Sequence, residues 1–75
     1  MNLKEAEILF NASVLLEPVI KHDKLYGGWI VTLSGTHKLN PILETARGDV
    51  RVFKRLDVAV GVLFEIGFSE IKIIQ

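Results

Sequence analysis

The chain has 75 residues, equal numbers of acidic and basic side chains, no cysteine and a hydrophobic content of 49%. That length gives one small domain, residues 1–75, whose folding hides only about 60% of the surface the unfolded chain exposes. Disulfides and thiolate metal sites are excluded, no apolar run approaches the ~20 residues of a membrane span, and the apolar excess over so small a core favours a homodimer.

In chain order, Asn2 followed by Glu5 forms a capping-box pattern. The spacing of Leu3, Ala6, Leu9, Phe10 and Ser13 predicts a first helix to about Ser13. The opening residues carry Lys4, Glu5 and Glu7 rather than a basic start and an apolar centre, so a cytoplasmic protein is expected. Val14, Leu15 and Leu16 either finish the helix or begin an extended segment, and Pro18 turns Glu17 out of helical geometry. The polar run Lys21, His22, Asp23, Lys24 reads as a loop. Trp29 to Leu33 follows as a strand, with Trp29, Val31 and Leu33 on one face and Ile30 and Thr32 on the other.

Ser34, Gly35 and Thr36 are expected to turn, and His37 to Asn40 lead into a second strand at Ile42 to Ala46. Gly48 and Asp49 turn that strand into a third, Val50 to Phe53. The tripeptide Arg47-Gly48-Asp49 reads as that turn rather than as an adhesion signal. Leu56, Ala59, Val60, Leu63 and Ile66 form the apolar stripe of a second helix, stopped by Gly67 with Phe68 folding back on Leu63 or Phe64. Val58 and Val62 make a second strip, a candidate interface or pocket wall together with Trp29. Ile71 to Ile74 is the last strand.

The expected fold is α+β: an N-terminal helix, a three-stranded antiparallel meander, a helix packed on one face of the sheet and a final strand. A right-handed crossover sets that strand parallel to the first and third, beside the first, in order 4-1-2-3. The other sheet face needs the N-terminal segment, a second subunit or a ligand to cover it.

Chemistry is sparse. His22 and His37 stand in polar segments without metal-ligand spacing. The serines form no nucleophile elbow, and the glycines form no phosphate-binding loop. A non-enzymatic protein without metal or cofactor is expected. The asymmetric feature is charge: residues 37–55 hold Lys38, Arg47, Arg51, Lys54 and Arg55 against Glu44 and Asp49. Arg47, Arg51, Lys54 and Arg55 are therefore the candidate nucleic-acid or partner contacts, doubled into a basic strip in a dimer. Against this, they are solubilising charges paired with Glu44, Asp49 and Asp57.

Trp29, Arg47-Gly48, Arg51-x-Phe53, Leu56-Asp57-x-Ala59 and Gly67 form a pattern that resembles small accessory proteins of bacterial plasmids and other mobile elements. The resemblance covers the C-terminal two-thirds of the chain and implies a plasmid- or cassette-borne binding protein with a role in maintenance or regulation. It transfers no catalytic residue. Three functions stay open: a dimeric module contacting nucleic acid through the basic strip, a protein-interaction or inhibitor module using the exposed sheet face or edge, and a small-molecule-binding dimer with a pocket near Trp29.

Overall fold

The computed structural model describes residues 1–14, 16–35 and 41–75. Their elements run α1 (Leu3–Asn11), β1 (Leu16–Asp23), β2 (Gly28–Gly35), α2 (Leu56–Ile66) and β3 (Lys72–Ile74). The result is a small α+β fold with a mixed sheet in the order β2-β1-β3.

The capping box forms as expected. Glu5 N–H donates to Asn2 Oδ1 at 2.8 Å, and Asn2 N–H donates to Glu5 Oε1 at 3.0 Å. The helix ends two residues earlier than its spacing suggests. Ser13 takes the left-handed conformation, φ 61°, while its N–H donates to Phe10 C=O and Val14 N–H donates to Leu9 C=O. This pair of bonds is a Schellman stop with serine where glycine is the usual occupant.

The first strand was not expected. Residues 21–24, taken for a loop, belong mostly to β1, which pairs antiparallel with β2 from Leu16↔Gly35 to Asp23↔Gly28. Leu16, Pro18 and Ile20 are buried, while Glu17 and Lys21 are exposed. Pro18 is tolerated in this central strand because β1 meets β3 only from Val19 onward. At Pro18 the strand has β2 alone for a neighbour, so the missing N–H breaks no ladder on the other side.

Placing β1 corrects the expected topology. The final strand lies beside β1, parallel to it in the register Val19↔Lys72 to Lys21↔Ile74, and not beside Trp29–Leu33. Because β1 and β2 are antiparallel, β3 runs opposite to the strand it was expected to match. Ser34 and Gly35 extend β2 instead of turning, and the rest of that expected turn, with His37 and Lys38, lies outside the described residues.

The two remaining meander strands are single bridges rather than ladders. Ile42 pairs with Thr32 and Phe53 with Trp29, both antiparallel along the outer edge of β2. Between them the chain leaves the edge as a small hairpin: Arg51 N–H donates to Leu43 C=O, Glu44 bridges Val50, and Thr45 N–H donates to Asp49 C=O. The two segments thus act as one interrupted strand with Arg47-Gly48-Asp49 at the exposed tip of the excursion. Asn2 bridges Glu44, and the amino group of Met1 lies 2.7 Å from the Glu44 carboxylate.

Both helices lie on one face of the sheet. Ile20, Val31, Leu33, Leu43 and Phe53 meet Ala59, Leu63 and Ile66 of α2 and Ala6 of α1 in a single core. Leu56 and Val60 complete the α2 stripe at its margin. Gly67, φ 128°, ends α2, and Phe68 enters the core with its ring edge-on to Phe10 at 5.0 Å. The N-terminal segment therefore does not cover the second face. That face carries Val19, Lys21, Ile30, Thr32 and Lys72, and of these five only Ile30 is buried.

Candidate nucleic-acid interface

The register of β1, β2 and the edge segment places side chains that are far apart in sequence in one row. His22 is opposite Trp29, and Trp29 is opposite Phe53. Trp29 and Phe53 exchange both backbone bonds, at 2.7 and 2.8 Å. All three rings stand on the helix-bearing face, at the end of the sheet where the β1–β2 turn lies. The His22 and Trp29 rings meet edge to face at 5.0 Å. The Arg51 guanidinium lies over the Phe53 ring, 5.4 Å from its centroid, a cation–π contact that fixes the cation while leaving its N–H groups free to donate outward.

The same end gathers further cations. Lys24 is exposed in the turn, which Asp23 holds by accepting from Leu25 N–H through Oδ1 and from Gly27 N–H through its carbonyl. Leu25 and Tyr26 project from that turn, with Leu25 95% exposed. Lys54 and Arg55 follow Phe53 directly and lead into α2, so the positive end of the helix dipole faces this end too. Arg55 is the N-cap residue and supplies no capping bond. Its side chain forms a bidentate pair with Asp57, at 3.1 and 3.0 Å. The Asp57 carboxylate, in the first turn of α2, is thus taken up by Arg55.

Four basic side chains, Lys24, Arg51, Lys54 and Arg55, face Asp23 and Asp57 here. Arg47 is not among them. It sits at the exposed tip of the edge hairpin, four positions before Arg51 at its base. The expected pairings with acids hold in one case of three: Asp57 binds Arg55, Glu44 is engaged by the amino group of Met1, and Asp49 closes the turn through its backbone. Among the described residues, Arg47 and Lys54 make no ion pair.

Sequence reasoning found the cations and Trp29 but not their arrangement. His22, Lys24 and Tyr26 had no position until β1 did. Val58 is 48% exposed on the outer side of α2, while Val62 packs partly against the core. A groove of about 670 Å³ lies at the opposite end of the sheet from Trp29, where β1 and the chain entering β3 splay apart. Phe10, Leu16, Pro18, Phe68 and Ile71 line it, with Glu17 and Glu70 at its rim. Among the described residues no group of three or more His, Asp or Glu side chains comes together, and no helix is long and apolar enough to cross a membrane. No protein-family model, curated protein or solved structure matches this chain.

Proposed function

We propose that this chain is a non-enzymatic module that binds nucleic acid at the turn end of its sheet. The observation that carries the proposal is the row His22, Trp29 and Phe53 with Arg51 stacked on it, beside exposed Lys24, Tyr26, Lys54 and Arg55. Cations supply phosphate contacts, and the exposed His22 and Tyr26 rings with the half-buried Trp29 accept bases, while Phe53 lies buried beneath Arg51 and anchors it; this is the combination that single-stranded nucleic acids require. Among the described residues the open sheet face carries no aromatic side chain, so the stacking platform is assigned to the turn end. Arg51, Lys54 and Arg55 keep the contact role, Lys24 joins them, and Arg47 becomes peripheral. The setting on bacterial mobile DNA is part of the same proposal and rests on the sequence resemblance alone.

Labelled single-stranded and duplex DNA titrated at low and moderate salt test this reading, with Trp29 fluorescence as a second signal. Affinity is expected to fall steeply with salt. Arg51→Ala combined with Lys54→Ala is expected to weaken binding about tenfold or more, whereas Arg47→Ala leaves it nearly unchanged. Absence of binding at low salt overturns the proposal. The alternative, a protein-interaction module acting through the sheet edge, is favoured by one observation: Ile73 and Ile74 of β3 are 44% and 38% exposed.

A further inference from the structure

The outward side of α2 carries a feature that the single chain does not use. Gly61 stands at the midpoint of the helix, although glycine is the poorest helix former after proline. Inside a helix it serves where another group must come close to the backbone. Within this chain none does, since a Cβ added at Gly61 meets no neighbouring group within 4 Å. With 3.6 residues per turn, Gly61 lies opposite the buried Ala59, Leu63 and Ile66, so the gap it leaves opens outward. Val58 and Phe64 flank that gap, 48% and 57% exposed.

Val58, Gly61 and Glu65, spaced three and four apart, form one ridge along this side. The ridge is complementary to itself in shape and charge. Two copies of α2 laid antiparallel, with the two-fold axis midway between Val58 and Gly61, set each Val58 into the gap over Gly61 of the second copy. The same register brings each Glu65 level with the start of the other helix, where the positive end of the dipole and the exposed Lys54 stand. Other arrangements fail. An axis at Gly61 opposes Glu65 to Asp57, and an axis at Val58 drives the two valines together while leaving both gaps empty. A parallel pair opposes glutamate to glutamate and aligns the two dipoles.

We infer that the outer face of α2 docks a second copy of this chain, the two helices antiparallel and Val58 of each seated over Gly61 of the other. Helix packs on helix between two sheets, so the helical layer of each copy is covered on both sides. The two turn ends then point in opposite directions, and the basic groups of the two copies do not merge into one strip. Lys54 is common to both sites. Paired with Glu65 of the second copy, it leaves Lys24, Arg51 and Arg55 for phosphates.

Sedimentation equilibrium of the full chain without nucleic acid reads the assembly alone, so the dimer and the nucleic-acid site can fail separately. The wild-type protein is expected at twice 8.4 kDa at roughly 100 μM, as suits an interface of one helix per copy. Gly61→Gln gives two effects of opposite sign. The better helix former raises the thermal midpoint of the dilute single chain by circular dichroism, while its side chain fills the gap and weakens dimerisation about tenfold or more. Glu65→Lys sets like charges together at two symmetric positions and is expected to weaken association to a similar extent, and adding K54E regains about threefold or more of the loss. Lys54 and Glu65 are both exposed, and circular dichroism establishes that each variant folds. A monomeric wild-type protein, a dimer indifferent to Gly61→Gln or to Glu65→Lys, or a double reversal no better than E65K alone overturns the inference.

Discussion

At the scale of single residues, the sharpest local cost lies at Ser13. A non-glycine residue held in the left-handed region pays about 1 kcal/mol or more, and Ser13 does so because the chain must leave α1 abruptly to enter β1. Ser13→Gly is expected to raise stability by roughly 0.5–1 kcal/mol after the added freedom of the unfolded chain is counted. Urea unfolding of the pair measures it, with an unchanged slope as the sign that the surface exposed on unfolding is the same in both. The stop of α2 was readable in advance because Gly67 and Phe68 spell it directly. The stop of α1 was not, since nothing about serine announces a positive φ.

Elements were legible in proportion to how far their own periodicity determines them. The apolar stripe of α2 repeats over three turns, and the helix lies where that stripe puts it, with Ala59, Leu63 and Ile66 against the sheet. β1 was missed for two physical reasons. Pro18 is a poor sign of a central strand, and Lys21 to Asp23 become strand residues only through pairing with β2. The segments around Ile42 and Phe53 err the other way. Each has strand-like alternation, yet the edge of β2 accepts them only as single bridges because the hairpin between them leaves the sheet plane. Their attachment leans on Gly28, where an added Cβ lies 2.6 Å from Phe53 carbonyl O and 2.8 Å from Val52 Cγ1. The first of these atoms is backbone and has little room to move. Gly28→Ala is expected to cost about 1–3 kcal/mol, and amide exchange at Trp29 and Phe53 should accelerate more than exchange in the middle of β1.

For the whole molecule, the candidate site was half legible. The cations are visible in the sequence because they cluster within a short stretch, but the aromatic row depends on a β1–β2 register that no local pattern reveals. The charge pairing expected to neutralise the arginines holds only between Arg55 and Asp57, and for a similar reason: Glu44 is drawn to the amino group of Met1. Energetically the domain depends on few side chains. Ile20, Leu33, Leu43, Leu63 and Val31 are the largest that are fully buried. A single core in a chain of this size rarely supplies more than about 3–5 kcal/mol, while Leu63→Ala costs about 2–5 kcal/mol. This one substitution is expected to consume most of the stability margin, read as a broad, low-midpoint urea transition by circular dichroism. A sharp transition at the wild-type midpoint counts against the single-core account.

The parallel pairing of β1 with β3 joins Val19 to Lys72, 53 positions apart. During synthesis β1 and β2 leave the ribosome long before the strand that completes the sheet, and a hairpin can close within microseconds of emerging. For that interval the eventual centre of the sheet is an unprotected edge, of the kind that invites pairing between nascent chains. Pro18 removes one donor from β1, and Lys21 places a charge along it. The residue that concealed this strand from a sequence reading thus also guards the growing polypeptide while its last partner is still being made.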